Sequence, residues 1–350
     1  MNAGDAIVTL PHAVAGVMVL SLNAYVLLAG ADFGGGVWDL FARGPRRDAQ
    51  RSAIADAIGP IWEANHVWLI LVVVMLFTCF PKAFAHLSTA LHVPITLMLV
   101  GIVLRGSAFT FRSYDRPDDT VQRRWGRVFA IASVVTPVLL GVCVGAVASG
   151  AVPIVPIDGT RTFADVYLRP WWTPFTVAVG ALALAIFAHL AAVYLAWERE
   201  EAALKDDFRA RGLASAVVVF VAGTLTIALA RAEAPLVFAG LTEGRVAVGM
   251  QLVTAIAGLT GVWALWRRRW LVAVIAAAAQ ASFLLWGWAW SQFPWLVPPT
   301  HTITDLAAPR ITQQLVLGVL GVGTVILLPS FVYLFRIFKG RGTVFERLER

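Results

Sequence analysis

Of the 350 residues, 59% are hydrophobic and only 14% charged, and a mean hydropathy of +0.76 spread over the whole chain excludes an ordinary soluble domain and implies a polytopic membrane protein. A net charge of +7 does not describe a nucleic-acid face, because the basic residues sit in short clusters between apolar runs, where membrane topology accounts for them. Cys79 and Cys143 stand alone without a C-x-x-C, which excludes a disulfide framework and a metal knuckle.

The stretch from Met1 to Pro11 has no basic n-region, and no small-residue cleavage site follows the first apolar run, so that run reads as a retained helix. Apolar runs long enough to span a bilayer fall at about 13–37, 54–80, 84–111, 128–149, 172–196, 213–232, 246–266, 271–290 and 314–338. They predict an all-α polytopic membrane protein, a single integral membrane domain over 1–350 with about nine transmembrane helices. Short loops make successive helices antiparallel neighbours, in two four-helix bundles plus one peripheral helix. Arginines and lysines concentrate on one set of loops, among them Arg43, Arg46, Arg47 and Arg51, Arg123, Arg124 and Arg127, Lys205 and Arg209, Arg267 to Arg269, and Lys339. Such loops prefer the cytoplasm, so the N-terminus is expected outside and the C-terminus inside. Tryptophans near both ends of the spans, such as Trp38, Trp172, Trp266 and Trp290, read as aromatic belts. The longest outer connection, Ser291 to Thr312, is stiffened by Pro294, Pro298, Pro299 and Pro309 and suits either an ordered cap or a docking surface.

Within this apolar chain a few polar residues stand out. The first helix ends in Gly30-Ala31-Asp32-Phe33-Gly34-Gly35-Gly36-Val37-Trp38-Asp39, whose glycines imply a close helix approach, a local break or backbone lining a cavity. No strand precedes them and no Lys-Ser/Thr follows, so they are not a phosphate loop. Asp32 lies roughly 8 Å from the inner end of that helix by its rise per residue. The second run carries Gly59-Pro60-Ile61-Trp62-Glu63-Ala64-Asn65-His66-Val67-Trp68, which puts Glu63 about 14 Å deep, near the middle of the bilayer. On one continuous helix, Asp56, Gly59, Glu63 and His66 share a face. With Asp32 they form a ladder of titratable groups, Asp39 or Asp56 outermost, then Asp32, then Glu63, and such ladders carry protons into membranes. The plainer alternative is that Glu63 is neutral or paired with His66 and only locks helices together. Arg105, in the third run, is expected to snorkel to the inner interface rather than pair with Asp32.

His12, His86, His92, His189 and His301 show no paired spacing that demands a haem or metal, and each reads as a hydrogen-bonded interior or surface group. Glu63-x-x-His66 resembles half of a di-iron motif, but no second E-x-x-H exists in the chain. Two rivals remain from other classes. A proton-coupled secondary transporter would also want a broken glycine-rich helix and midplane carboxylates, though in both halves. A prenyltransferase-like enzyme could be built on Asp115-x-x-Asp118-Asp119, a cluster that reads better as a solvated cytoplasmic turn.

The stretches Gly30 to Gly36, Gly59 to Ile70, Leu104-Arg105-Gly106 through Phe111-Arg112, and Phe293-Pro294-Trp295-Leu296-Val297-Pro298 resemble subunit II of the cytochrome bd family of quinol oxidases. The most specific piece is Trp62-Glu63-x-Asn65-x-Val67-Trp68-Leu69-Ile70, and with nine spans the likeness covers nearly the whole chain. It implies a multi-pass chain of the bacterial cytoplasmic (inner) membrane that ligates no haem itself. The partner it implies is a haem-bearing subunit I with two b-type haems and one d-type haem, which oxidises quinol and reduces oxygen to water. Subunit II completes the heterodimer and helps bring cytoplasmic protons to the oxygen site. The likeness also leaves room for a structural quinone and a small accessory subunit. The proton-path candidates are Asp32, Asp56, Glu63 and His66, supported by Trp62, Asn65 and Arg105; of these, Trp62 matches the family tryptophan by position and Glu63 an acidic position of the family. Three departures bear on the route: Glu63 stands where the best-known members have aspartate, His66 where they have glutamine, and Thr110 where some have aspartate.

Overall fold

Helix α1 (Leu10–Leu40) starts where Thr9 and His12 cap one another and Pro11 supplies a pre-set backbone angle in the first turn. In a computed structural model that describes residues 9–58, 62–114, 120–152 and 162–339, it is the helix around which the others gather. Side chains are described for all of these except 62–64, 112–114, 120, 122, 123 and 335–339. α1 packs against α3 (Trp62–Cys79), α6 (Thr120–Ser149) and α8 (Pro174–Glu198), and α5 (His92–Tyr114) packs on α6. A second set continues from α8 to α9 (Ala202–Glu233), α11 (Arg245–Trp266) and α12 (Trp270–Gln292). The last helix, α13 (Arg310–Lys339), touches α1 and α3 but buries none of its spanning window. Among the described residues eight helices are long and apolar enough to cross a membrane, and one bent pair makes a ninth if counted as a single span.

The glycines of α1 explain why helices gather there. A Cβ at Gly34 would overlap the carbonyl oxygen of Phe187 on α8, and one at Gly36 would overlap the side chain of Ser133 on α6. α1 stays helical through all three glycines, so of the alternatives raised by the sequence, close approach holds and a break does not.

Two of the expected runs are divided. The run at 54–80 comprises α2 (Arg47–Ile58) and α3, with 59–61 outside the described residues. The boundary falls at Gly59-Pro60, and proline removes a helical N–H and disfavours helix in the residue before it. The run at 84–111 is likewise preceded by α4 (Pro81–Ala90), whose axis turns 117° from that of α3 at Phe80, directly before Pro81. Two further short helices, α7 (Phe163–Tyr167) and α10 (Pro235–Thr242), lie in the connections after α6 and α9.

The long connection after α12 is an ordered cap. β1 (Trp295–Val297) and β2 (His301–Thr302) pair antiparallel. Val297, Ile303 and Leu306 bury themselves among Val14 of α1, Met75 and Cys79 of α3, and Phe80 and Ala83, while the Ala308 N–H donates to the Cys79 carbonyl at 2.8 Å. The cap therefore closes the end of the α1/α3 pair where α1 begins and α3 finishes.

Candidate functional site

Asp32 projects from the C-terminal half of α1 into the space between α1, α3 and α5, where it is only 5% exposed. Asn65, in the first turns of α3 and buried beside it, donates its amide Nδ2–H to Asp32 Oδ2 at 2.5 Å. The next residue, His66, lies against two rings of α1, with centroids 5.9 Å from Tyr25 and 5.8 Å from Phe33. The i, i+1 step on α3 thus turns one polar group onto Asp32 and the next onto the aromatic face that follows it along α1.

Arg105 completes the cluster from α5. It is 2% exposed, so the expected snorkelling to the inner interface is overturned. Its guanidinium lies over the ring faces of Phe33 at 4.6 Å and Phe129 at 5.2 Å, and its Nε–H donates to Ser133 Oγ at 3.2 Å. It is also near enough to Asp32 and Tyr25 to couple electrostatically with both. Two π faces, one hydroxyl and one carboxylate thus replace the water that a snorkelling arginine would seek.

Asp56 is not brought to this site. Its side chain is 66% exposed and faces Arg199 at 3.8 Å, because α2 is a helix of its own and not the first turns of α3. Trp62 and Glu63 have helical backbone at the start of α3, and their side chains lie outside the described residues. Thr110 bonds back to its own helix at Gly106 O, 3.1 Å away. The Asp115-x-x-Asp118-Asp119 cluster also lies outside the described residues. His189 is a buried core histidine whose Nδ1 lies 3.1 Å from both Gly212 O and Ser215 Oγ. Among the described residues no group of three His, Cys, Asp or Glu side chains is placed to hold a metal ion.

Sequence reasoning passed over Tyr25, Phe33, Phe129 and Ser133. Three are aromatic residues in apolar helices and the fourth is a serine, which spanning helices commonly carry; the one available signal was Gly36, whose missing side chain makes room for Ser133. Apart from this cluster, a half-open cavity of about 200 Å³ lies between the two helix sets, lined by Leu22 of α1, Leu140 of α6, and Leu182, Gln251, Leu284 and Trp288 of the second set. The indole Nε1–H of Trp288 is buried there with no hydrogen-bond partner in the structure.

The family model for cytochrome bd terminal oxidase subunit II matches residues 10–338, nearly the full chain. The chain belongs to this family. Its relatives include the cytochrome bd ubiquinol oxidase subunit 2 of Bacillus subtilis (strain 168), 31% identical over 118 residues, which are 34% of this chain and 34% of that protein. Another is the cytochrome bd-I ubiquinol oxidase subunit 2 of Escherichia coli (strain K12), 28% identical over 183 residues, 50% of this chain and 45% of that protein. The chain thus spans less than half the length of these two relatives. The solved bd oxidase from Geobacillus thermodenitrificans contains a chain of the same fold, with a TM-score of 0.78 at 23% identity, covering 94% of this chain and 98% of that one. As a subunit II chain it is a multi-pass membrane protein, and the transporter reading loses the broken first helix that motivated it.

Proposed function

We propose that this chain is the haem-free subunit of a quinol:oxygen oxidoreductase in the bacterial cytoplasmic membrane. In this reading it pairs with a haem-bearing subunit I, its N-terminus faces outward, and it conducts cytoplasmic protons toward the site of oxygen reduction. Quinol and oxygen are the substrates of the complex. Bound in the partner, the two b-type haems and the d-type haem would supply the electron transfer that turns oxygen and protons into water.

The observation that carries the reading is the buried carboxylate of Asp32, hydrogen-bonded to Asn65 and balanced by Arg105 deep in an apolar bundle. A buried ion is costly, and in membranes such groups serve as stations for protons or ions. Asn65 fixes the carboxylate's direction, Arg105 offsets its charge, and His66 against Tyr25 and Phe33 is the next titratable side chain along α3. Glu63, three residues before His66, is the further carboxylate that the family resemblance places on the route.

The structural quinone that the resemblance allows would lie along the half-open apolar cavity between the helix sets. Its isoprenoid chain would lie against Val179, Leu182 and Leu284, and the unpartnered Trp288 Nε1–H would donate to a ring oxygen. A small accessory subunit is part of the same proposal only through the resemblance.

The test is proton uptake from the inner side by the purified complex in vesicles. Asp32→Asn should slow it about 100-fold, within the range that positioned acid–base groups contribute. Glu63→Gln should act in the same direction, and Asp32→Glu should recover part of the rate. Unchanged uptake in Asp32→Asn, with normal haem content, removes the reading.

A further inference from the structure

Asp39 sits in the last turn of α1, yet it is only 2% exposed, while Phe41 two residues on is half exposed to solvent. Its partner is Arg51 of α2, whose Nε lies 3.8 Å from Asp39 Oδ1 and whose Nη2 donates to the Asp39 carbonyl at 3.4 Å. The Arg51 side chain is 30% exposed, so one member of the pair meets water at the surface and the other does not.

Asp32, Gly36 and Asp39 follow one another at four and three residues and so share a face of α1, with about 10 Å of helix rise between the two carboxylates. That face meets α6. At Gly36 the Ser133 hydroxyl fills the place of the absent side chain, and the same hydroxyl accepts from Arg105, the cation beside Asp32. Neighbouring faces of α1 are apolar: Ile54 and Ile58 of α2 close on Gly35, and Phe187 closes on Gly30 and Gly34. Polar groups therefore follow a single stripe from the surface to Asp32.

An anchor for α2 is the plain alternative. α2 is already held by Arg46 and Gln50, which both donate to Asp207, and by Arg211, which donates to Gln50. An additional anchor needs no buried carboxylate, since a surface pair would serve at a lower desolvation cost.

We infer that Asp39 is the intake carboxylate of the chain, taking protons at the inner surface beside Arg51 and passing them along the Gly36 face, past Ser133, to Asp32. The inference rests on the proton-conducting reading above. In each step a hydronium at the inner surface protonates the Asp39 carboxylate, and Asp39 returns that proton to water on its inward side. Ser133 is fully buried and donates to the Phe129 carbonyl at 2.7 Å, so the transfer from Asp39 to Asp32 requires water to enter transiently between α1 and α6 beside it, after which Asp39 returns to its charged pair with Arg51.

Proton uptake by the purified complex in vesicles decides it, with haem content as the check on assembly. Asp39→Asn should slow uptake about ten-fold or more, and Asp39→Glu should restore most of the rate. Arg51→Gln, which breaks the same pair but keeps the carboxylate, should cost much less. Normal uptake in Asp39→Asn beside slow uptake in Asp32→Asn overturns the inference and leaves the proton reading standing. Normal uptake in both variants overturns the reading itself. Equal losses in Asp39→Asn and Arg51→Gln assign the pair to anchoring and also overturn the inference. Should Asp39→Asn fail to assemble, Ser133→Ala takes its place: slowed uptake supports the stripe, and an unchanged rate rejects it.

Discussion

The two helix sets share α8 and are equally apolar from outside, but their interiors differ. Among the described residues, the only buried Asp, Glu, Lys or Arg side chains, Asp32, Asp39 and Arg105, all belong to the set formed by α1, α3, α5 and α6. The set formed by α8, α9, α11 and α12 buries only uncharged polar groups, among them His189 and Ser215, which lie within hydrogen-bond distance of one another, and it supplies most of the lining of the nearly apolar, half-open cavity of about 200 Å³ that it shares with α1 and α6. A bundle that must hold charge has to be tight, because each buried ion needs its partners at hydrogen-bond distance. A bundle that holds no charge can leave space, at the cost only of lost dispersion contacts. The difference separates a half that holds buried charge from a half that leaves space for an apolar guest.

The largest effect expected from breaking this contrast is at Arg105. Arg105→Leu keeps an apolar volume but leaves the Asp32 region without its cation, and removing one partner of a buried pair costs about 3–5 kcal/mol. A steep fall in the melting temperature of the solubilised complex is the expected readout. A variant as stable as the parent would show that Arg105 offsets no buried charge. Tightness is tested next, by a pair of glycines. Gly34→Ala places a methyl group on the Phe187 carbonyl and should cost about 1–3 kcal/mol as overpacking. Gly223→Ala lines the cavity, where the nearest side-chain atom, Leu182 Cδ1, is 3.9 Å from the new carbon, and it should stabilise by up to about 1 kcal/mol. If the two alanines shift the melting temperature alike, the two interiors are not packed differently.

Much of this was legible in the chain of residues. Run lengths announced the spans, and Asp32, Asn65 and Arg105 stood out because polar residues in spanning helices are expensive. Burial of Arg105 was not legible, since hydropathy does not register that Phe33 and Phe129 present ring faces to a guanidinium. Asp56 was assigned to the ladder by treating 54–80 as one helix; as part of a separate α2 it turns to solvent and to Arg199. Ser133 carried no signal of its own, because its meaning comes from Gly36 on another helix. For Arg105 and Ser133 the missing information was which helix faces which, and periodicity within one helix cannot supply it; for Asp56 it was the helix boundary at Gly59-Pro60.

The smallest expected effect lies in the cap, which covers the α1/α3 end of the half that holds the buried charges. Asp305 accepts from the Thr302 backbone N–H at 2.8 Å, and its own N–H donates to Thr302 Oγ1 at 3.3 Å. The Thr302 hydroxyl first, and the Thr302 backbone second, hold the Asp305 carboxyl below the usual carboxylate range. A depressed folded-state value means that this contribution to cap stability is present above the unfolded value of about 4 and is lost as pH falls through the lower folded value. The protection of the Thr302 and Ile303 amides against hydrogen exchange, relative to the intrinsic rate at each pH, should therefore fall slightly more on acidification in the parent than in Asp305→Asn, which does not titrate. The half that holds the buried charges should be indifferent: if protons reach Asp32 only from the inner side, loosening the cap leaves inner-side uptake unchanged. Accelerated proton leak from the outer side in Asp305→Asn would show instead that the cap is what keeps the two aqueous phases apart.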